Sequence, residues 1–174
     1  GNVIAKNKYL LSLKDLNLSD HLRDLIDAGV SSLKIEGRLK DINYVKNVTS
    51  FYRKKIDEIL EKDASLIKAS SGKSYIGFQP EPIKTFNRGF TDYFIQNRSK
   101  DILSPNTPKS VGAYIGKVKT VKEKYFLVET KEALHNGDGI CFFNALDDLQ
   151  GTNINVVDKN KIIPEDMSGL ENGT

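Results

Sequence analysis

The residues Leu33-Lys34-Ile35-Glu36-Gly37-Arg38, followed by Leu39-Lys40-Asp41, constrain this chain more than any other stretch. A short apolar run ends in a charged Glu-Gly-Arg turn, and a long helical pattern starts at once. That is how a β-strand delivers polar side chains to the working rim of an α/β barrel and passes the chain to the next helix. Asp41 is the expected N-cap of that helix. Ile42, Val45, Val48, Tyr52, Ile56 and Ile59 recur at three- and four-residue steps, so the spacing predicts a helix to about Lys62 with one apolar face.

The preceding residues repeat the pattern. Tyr9-Leu10-Leu11-Ser12-Leu13 reads as a strand. Ser19 is the expected cap of a helix running to about Ala28, with Asp20 in its first turn and Leu22, Leu25 and Ile26 as its apolar face. Gly29 is the expected residue that ends it, and Ser31 to Glu36 is the next strand. Strand, helix, strand, helix argues for βαβα units with parallel strands. A closed barrel needs eight such units over about 250 residues. The expectation is therefore the last units of a barrel, with a large apolar surface left on residues 1–62 for the missing barrel portion or a second copy.

From Ala64 to Lys109 the periodicity breaks down, and Pro80 and Pro82 interrupt regular structure. From Val111 onward short β-branched and aromatic runs alternate with turns: Tyr114 to Val121, Tyr125 to Glu129, Gly139 to Phe143, Ile154 to Val157, and Ile162-Ile163-Pro164. Asn136-Gly137-Asp138-Gly139 is a strong turn signal, because Asn and Gly tolerate positive φ. The expected fold class is α+β: terminal βαβα units of a parallel α/β barrel over 1–63, a connector over 64–109, a small antiparallel β-barrel over 110–166 and a tail over 167–174.

Net charge is +3, too small as a global figure to argue nucleic-acid binding. Its distribution is more informative. Lys34, Arg38, Lys40, Lys46, Arg53, Lys54 and Lys55 fall in one strand-helix unit, read either as a solvated helix face or as a basic binding surface. No apolar run is long enough to span a bilayer, so no membrane partner is expected. Cys141 is the single cysteine, which excludes an internal disulfide and fits a reducing, cytoplasmic setting. It lies in the apolar run Ile140-Cys141-Phe142-Phe143 and is expected to pack as a small hydrophobe. His21 and His135 are too far apart for a local zinc site, so no metal is expected. Gly72-Lys73-Ser74 lacks the earlier glycine of a nucleotide-binding loop, since Ile67 stands there.

Two constellations carry chemistry. At Glu36-Gly37-Arg38 the glycine permits a sharp turn, Arg38 offers a planar fork for carboxylate or phosphate, and Glu36 either orients Arg38 or acts as a base. The alternative is a structural ion pair closing the barrel. At Arg88-Gly89-Phe90, the aromatics Phe86, Phe90, Tyr93 and Phe94 beside Arg88 and Arg98 suit base stacking with phosphate contacts, or else clamp the connector onto the barrel.

Ser32-Leu33-Lys34-Ile35-Glu36-Gly37-Arg38, then Tyr44-Val45 and Tyr52-Arg53, resembles the end of the catalytic domain of the collagenase-like peptidase family U32. Upstream, Tyr9-Leu10-Leu11-Ser12-Leu13-Lys14-Asp15-Leu16 and Leu25-Ile26-Asp27-Ala28-Gly29-Val30 resemble the same family in the same order, and Arg88-Gly89 resembles its turn after the barrel. The resemblance implies a peptidase, though it offers no established protease triad to transfer; the catalytic candidates are Glu36 and Arg38, and the binding candidates Lys34, Arg38, Arg53, Arg88 and Phe90. Other family members are linked to hydroxylation of ribosomal or transfer RNA and carry an iron-sulfur cluster on cysteines. One cysteine cannot hold such a cluster. The resemblance thus implies no cofactor in this chain, a cluster only upstream of it, and either RNA or a protein substrate as partner. A third reading makes the small β unit a structural or protein-interaction module. The chain alone is expected to lack a complete active site.

Overall fold

A computed structural model describes all residues from Gly1 to Thr174. They form two compact units, Lys14–Ile102 and Gly1–Leu13 with Leu103–Thr174.

The first of these carries the helices. Helix α2, Ile42–Lys62, begins where the sequence places it, because the Asp41 side chain accepts the Tyr44 N–H at 2.7 Å. The shorter α1, Leu22–Asp27, follows a 3-10 turn over Ser19–His21. Ser19 does not cap that turn: Leu18 stands at its N-cap position, and the preceding Asn17 accepts the Ser19 N–H at 3.0 Å and the Tyr52 hydroxyl at 3.0 Å on its Oδ1. Tyr52 in turn accepts the Leu18 N–H, which ties α2 to the start of the turn. Gly29 ends α1 at φ +91, with its N–H on the Ile26 carbonyl and the Val30 N–H on that of Leu25. Those two bonds are the Schellman pattern, which satisfies carbonyls the helix leaves open. Arg23 joins α1 to the end of α2 through Asp63 at 2.6 Å. Ser65, followed by Arg23, holds the Asp63 carboxyl low, at about 2.

Two expected strands are not formed. Residues 31–36 lie outside any sheet, and of residues 9–13 only Leu13 makes an isolated bridge, to Leu103. A strand exists only as a ladder, and an unpaired backbone is better solvated than held extended. The parallel pairing that does occur joins distant segments: β1, Asp15–Leu16, runs beside β2, Phe90–Thr91. The chain at Glu81 is fastened to α2 by Asn47, whose amide bonds the Glu81 N–H at 2.7 Å and carbonyl at 2.9 Å.

In the second unit five antiparallel strands stand in the order β3-β4-β7-β6-β5. They are β3 (Lys117–Val121), β4 (Phe126–Glu129), β5 (Gly139–Phe143), β6 (Leu149–Asp158) and β7 (Lys161–Pro164). The alternating residues Val118, Phe126, Val128, Ile154 and Ile162 point inward and form the core with Leu170. The expected closed barrel is an open sheet, because β3 and β5 do not pair. The long β6 serves β5 with its first half and β7 with its second, and a bulge between Ile154 and Val156 marks the exchange. The edge of β3 is covered: Gly173 and Thr174 exchange backbone bonds with Val118, and Asn172 accepts from Val121. Cys141 faces away from the core between the inward Ile140 and Phe142. The period-two pattern puts it there, against the expectation that it packs inside.

Replacing Asp41 by Ala removes the side-chain cap of α2. Unfolding in urea should then show a lower midpoint with an unchanged slope, equivalent to about 1 kcal/mol. An unchanged midpoint would mean that tertiary contacts alone fix this helix end.

Candidate functional site

A buried amide anchors a site where charged groups and aromatic rings meet. Asn87 is only 1% exposed. Its Nδ2 donates to the carbonyls of Ile83 (2.8 Å) and Thr85 (3.0 Å), and its Oδ1 accepts the Gly89 N–H (3.1 Å). Gly89 sits at φ +84, a conformation that disfavours any side chain. The loop is thereby rigid, and it presents Phe86 and Arg88 on either side of the anchor.

Asp15 takes hold of Arg88 twice. Its carboxylate accepts the Arg88 backbone N–H at 2.8 Å and the guanidinium Nη2 at 2.7 Å. That hydrogen bond raises the Arg88 pKa, so the cation is permanent. Lys40, at the approach to α2, places its Nζ 3.0 Å from the Phe86 ring centroid and 5.8 Å from that of Tyr44. The Arg88 guanidinium lies 5.9 Å from the same Phe86 ring. Lys40 makes no ion pair. Burial pushes its pKa down, Arg88 adds to that, and Asp15 opposes it. Burial pushes the Tyr44 phenol up, reinforced by Asp15. Two cations thus share one aromatic ring while the one carboxylate pairs with Arg88 alone, an arrangement with positive charge to spare for a phosphate or carboxylate.

The residues singled out in the sequence are dispersed by comparison. Lys34 and Glu36 pair with each other at 2.9 Å on an exposed stretch, so Glu36 orients Lys34 and not Arg38. Arg38 is exposed and makes no ion pair. No hydrogen bond or ion pair joins these three to the Lys40–Arg88 cluster. Arg53 donates to Asp57 one helical turn on, and its Nε is buried without a partner. Phe90 is half-buried in β2, so Phe86 supplies the ring that the cations share. Asp15 and Lys40 are the participants that sequence reasoning does not select. Lys14-Asp15-Leu16 is visible as a motif, but only the parallel register of Asp15 with Phe90 brings it to Arg88.

Cys141 lies at the surface overall, yet its Sγ sits on the Val111 carbonyl at 3.4 Å, and burial raises the thiol pKa, against what a nucleophile requires. His21 lies between Asp92 (3.3 Å) and Asp24 (3.7 Å), and His135 beside Asp138. A four-cysteine iron-sulfur cluster does not fit this chain, which has one cysteine and no cluster of three or more metal-ligating side chains. No helix is long and apolar enough to cross a membrane.

Residues 1–104 match the model of Peptidase family U32. The chain belongs to that family. It is 46% identical over 140 residues to the 23S rRNA 5-hydroxycytidine synthase of Escherichia coli, covering 80% of this chain and 21% of that protein. The tRNA hydroxylation protein P of Escherichia coli is 30% identical over 143 residues, 77% of this chain and 31% of the relative. A collagenase of Porphyromonas gingivalis is 28% identical over 143 residues, 81% of this chain and 28% of the relative. The chain therefore spans between a fifth and a third of these relatives. No solved structure matches it.

The Lys40 titration tests the cluster. Arg88→Ala removes a neighbouring cation and should raise the Lys40 pKa, whereas Asp15→Asn removes a neighbouring anion and should lower it further. NMR of the methylated lysines across pH 7 to 12 reads both; a midpoint indifferent to both changes would mean that the three groups are not coupled.

Proposed function

We propose that this chain is the RNA-contacting part of a protein that hydroxylates ribosomal or transfer RNA. The observation that carries the reading is the 46% identity with the 23S rRNA 5-hydroxycytidine synthase across 80% of the chain. An alignment of that length cannot be confined to the helical unit and must run into the β sheet. The Lys40–Phe86–Arg88 cluster supports it chemically. Lys40 is held by a ring and not by a carboxylate, so a phosphate gains its charge without breaking an ion pair. Arg38, exposed and unpaired, is the second contact. The hydroxylation chemistry and its iron-sulfur cluster belong in this reading to a part of the protein that this chain does not supply.

The same reading accounts for the unpaired stretch at 31–36. An apolar groove of about 540 Å³ lies between α1, α2 and this stretch, lined by Leu22, Leu25, Ile26, Leu33, Ile35 and Ile56 among others. Leu33 and Ile35 are exposed. In the proposal, residues 31–36 become a strand of a parallel α/β barrel, and the remaining barrel strands cover the groove. Left uncovered, the surface favours self-association. A peptidase is the second reading, favoured by the likeness to the collagenase.

Binding of the chain to bacterial ribosomal RNA at about 50 and 200 mM salt tests the proposal. Affinity should fall steeply with salt and weaken several-fold in Arg38→Ala, Lys40→Ala and Arg88→Ala. Absence of binding at the lower salt would overturn it, and gelatin hydrolysis by the full-length protein, lost on changing Glu36, would replace it with the peptidase reading.

A further inference from the structure

We propose that the outer face of the β sheet is a second RNA-binding surface, one that grips the sugar-phosphate backbone through lysines. The inference rests on the RNA reading above and adds a site outside the Lys40–Arg88 cluster.

The pattern of the strands sets the face. Val118 on β3, Phe126 and Val128 on β4, and Ile162 on β7 are buried, so their alternating neighbours point outward. Those neighbours are Lys117 on β3, Tyr125 and Leu127 on or beside β4, and Lys161 and Ile163 on β7; a bulge between Val118 and Thr120 leaves the exposed Lys119 without a ladder partner and sets Thr120 opposite Leu127. β4 pairs with both β3 and β7, which makes the three strands one continuous surface. The tight turn after β3 adds Lys122 and Lys124, and the turn between β6 and β7 adds Lys159. Neighbouring strands lie about 4.8 Å apart and alternate residues about 6.7 Å apart. The ammonium groups are therefore spaced to meet successive charges of a polyanion.

The lysines are uncommitted. Lys117, Lys119, Lys122, Lys124, Lys159 and Lys161 make no ion pair, although Glu123, Glu129 and Asp158 lie on the same strands and turns. Glu129 stands opposite Lys117 in the ladder and Asp158 opposite Lys161, and neither pair closes to a salt bridge. The one specific contact is Lys161 Nζ over the Tyr125 ring at 4.4 Å, which leaves the charge intact. Six cations against three carboxylates leave this face with an excess of positive charge.

The composition selects the partner. Leu127 on β4 and Ile163 on β7, both partly buried, are the aliphatic side chains of this surface, with Val156 of β6 opposite Ile163, so its apolar area lies towards β6 and the lysines dominate towards β3. Lysines are compact point charges without the fork that reads base edges. They suit sequence-independent backbone contacts, which fix position and leave selection to another site. The edge of β3 is already covered by Asn172–Thr174, so the exposed feature is the face and not a strand edge awaiting a partner.

The test uses the full chain and a fluorescein-labelled RNA hairpin, with affinity followed by anisotropy between about 50 and 200 mM salt. Lys117→Glu with Lys119→Glu should weaken binding on the order of ten-fold and reduce the slope of log affinity against log salt, by about 0.7–0.9 for each phosphate no longer neutralised. Lys117→Gln with Lys119→Gln should do the same to a smaller extent, which keeps the test valid if the charge reversal unfolds the sheet. The charge-matched control Lys62→Glu with Lys100→Glu should bind nearly as tightly as the unaltered chain. If the sheet variants keep the affinity and slope of the unaltered chain while Arg88→Ala loses affinity, the face is not a contact and the RNA reading survives. If the control loses as much as the sheet variants, only net charge matters and the face is overturned. If the unaltered chain does not bind at all, the RNA reading fails and this proposal fails with it.

Discussion

The Asp15 carboxylate is the interaction on which the helical unit depends. It reaches across 73 residues of sequence to Arg88 and accepts from both the backbone N–H and the guanidinium. One bond fixes the path of the main chain, and the other fixes the direction of the side chain. The two-residue parallel pairing of Asp15–Leu16 with Phe90–Thr91 is too short to hold two distant segments by its ladder alone. The charge-assisted pair supplies what the ladder lacks, and burial of Asn87 next to it keeps the loop from relaxing. Lys40 then settles on Phe86 because this loop holds the ring still.

This dependence explains why so much of the site is invisible in the sequence. Helix α2 is legible to the residue, since a cap and a three- and four-residue apolar period are local signals. The strands β3, β4, β5 and β7 are legible for the same reason, each being a short alternating run between turns. The juxtaposition of Asp15, Lys40, Phe86 and Arg88 is not local. Nothing in the period of either segment announces that residue 15 stands beside residue 90. In the sequence Lys40 is one of seven cations on a strand-helix unit, and only the structure shows its close seat on Phe86, 3.0 Å from the ring centroid, beside Arg88.

The expectations that failed did so for one physical reason. Residues 31–36 have the composition of a strand, but composition supplies no partner, and a strand is defined by its ladder. The closed barrel failed in the same way: β3 and β5 are ordinary strands whose outer edges do not meet. In β3 the open edge is taken by Asn172–Thr174, residues that read from sequence as a tail. Leu170 enters the core just before them, so the end of the chain is structural in this unit.

Positive charge is handled in two distinct ways along the chain. Arg23, Arg53 and Arg88 each hold a carboxylate, and in doing so they join elements or fix a loop. Those pairs tie their guanidinium groups into the fold. The lysines of β3, β7 and the adjoining turns hold none, even where the ladder sets a carboxylate opposite them. A long, strongly hydrated side chain gains little from an exposed pair, since the Coulomb term is offset by lost rotamer freedom. A polyanion changes that balance, because each contact also releases a condensed counterion. Lysines left free by their own neighbours are thus cations well placed to meet a nucleic-acid backbone, whereas the arginines paired with carboxylates chiefly position the structure around them.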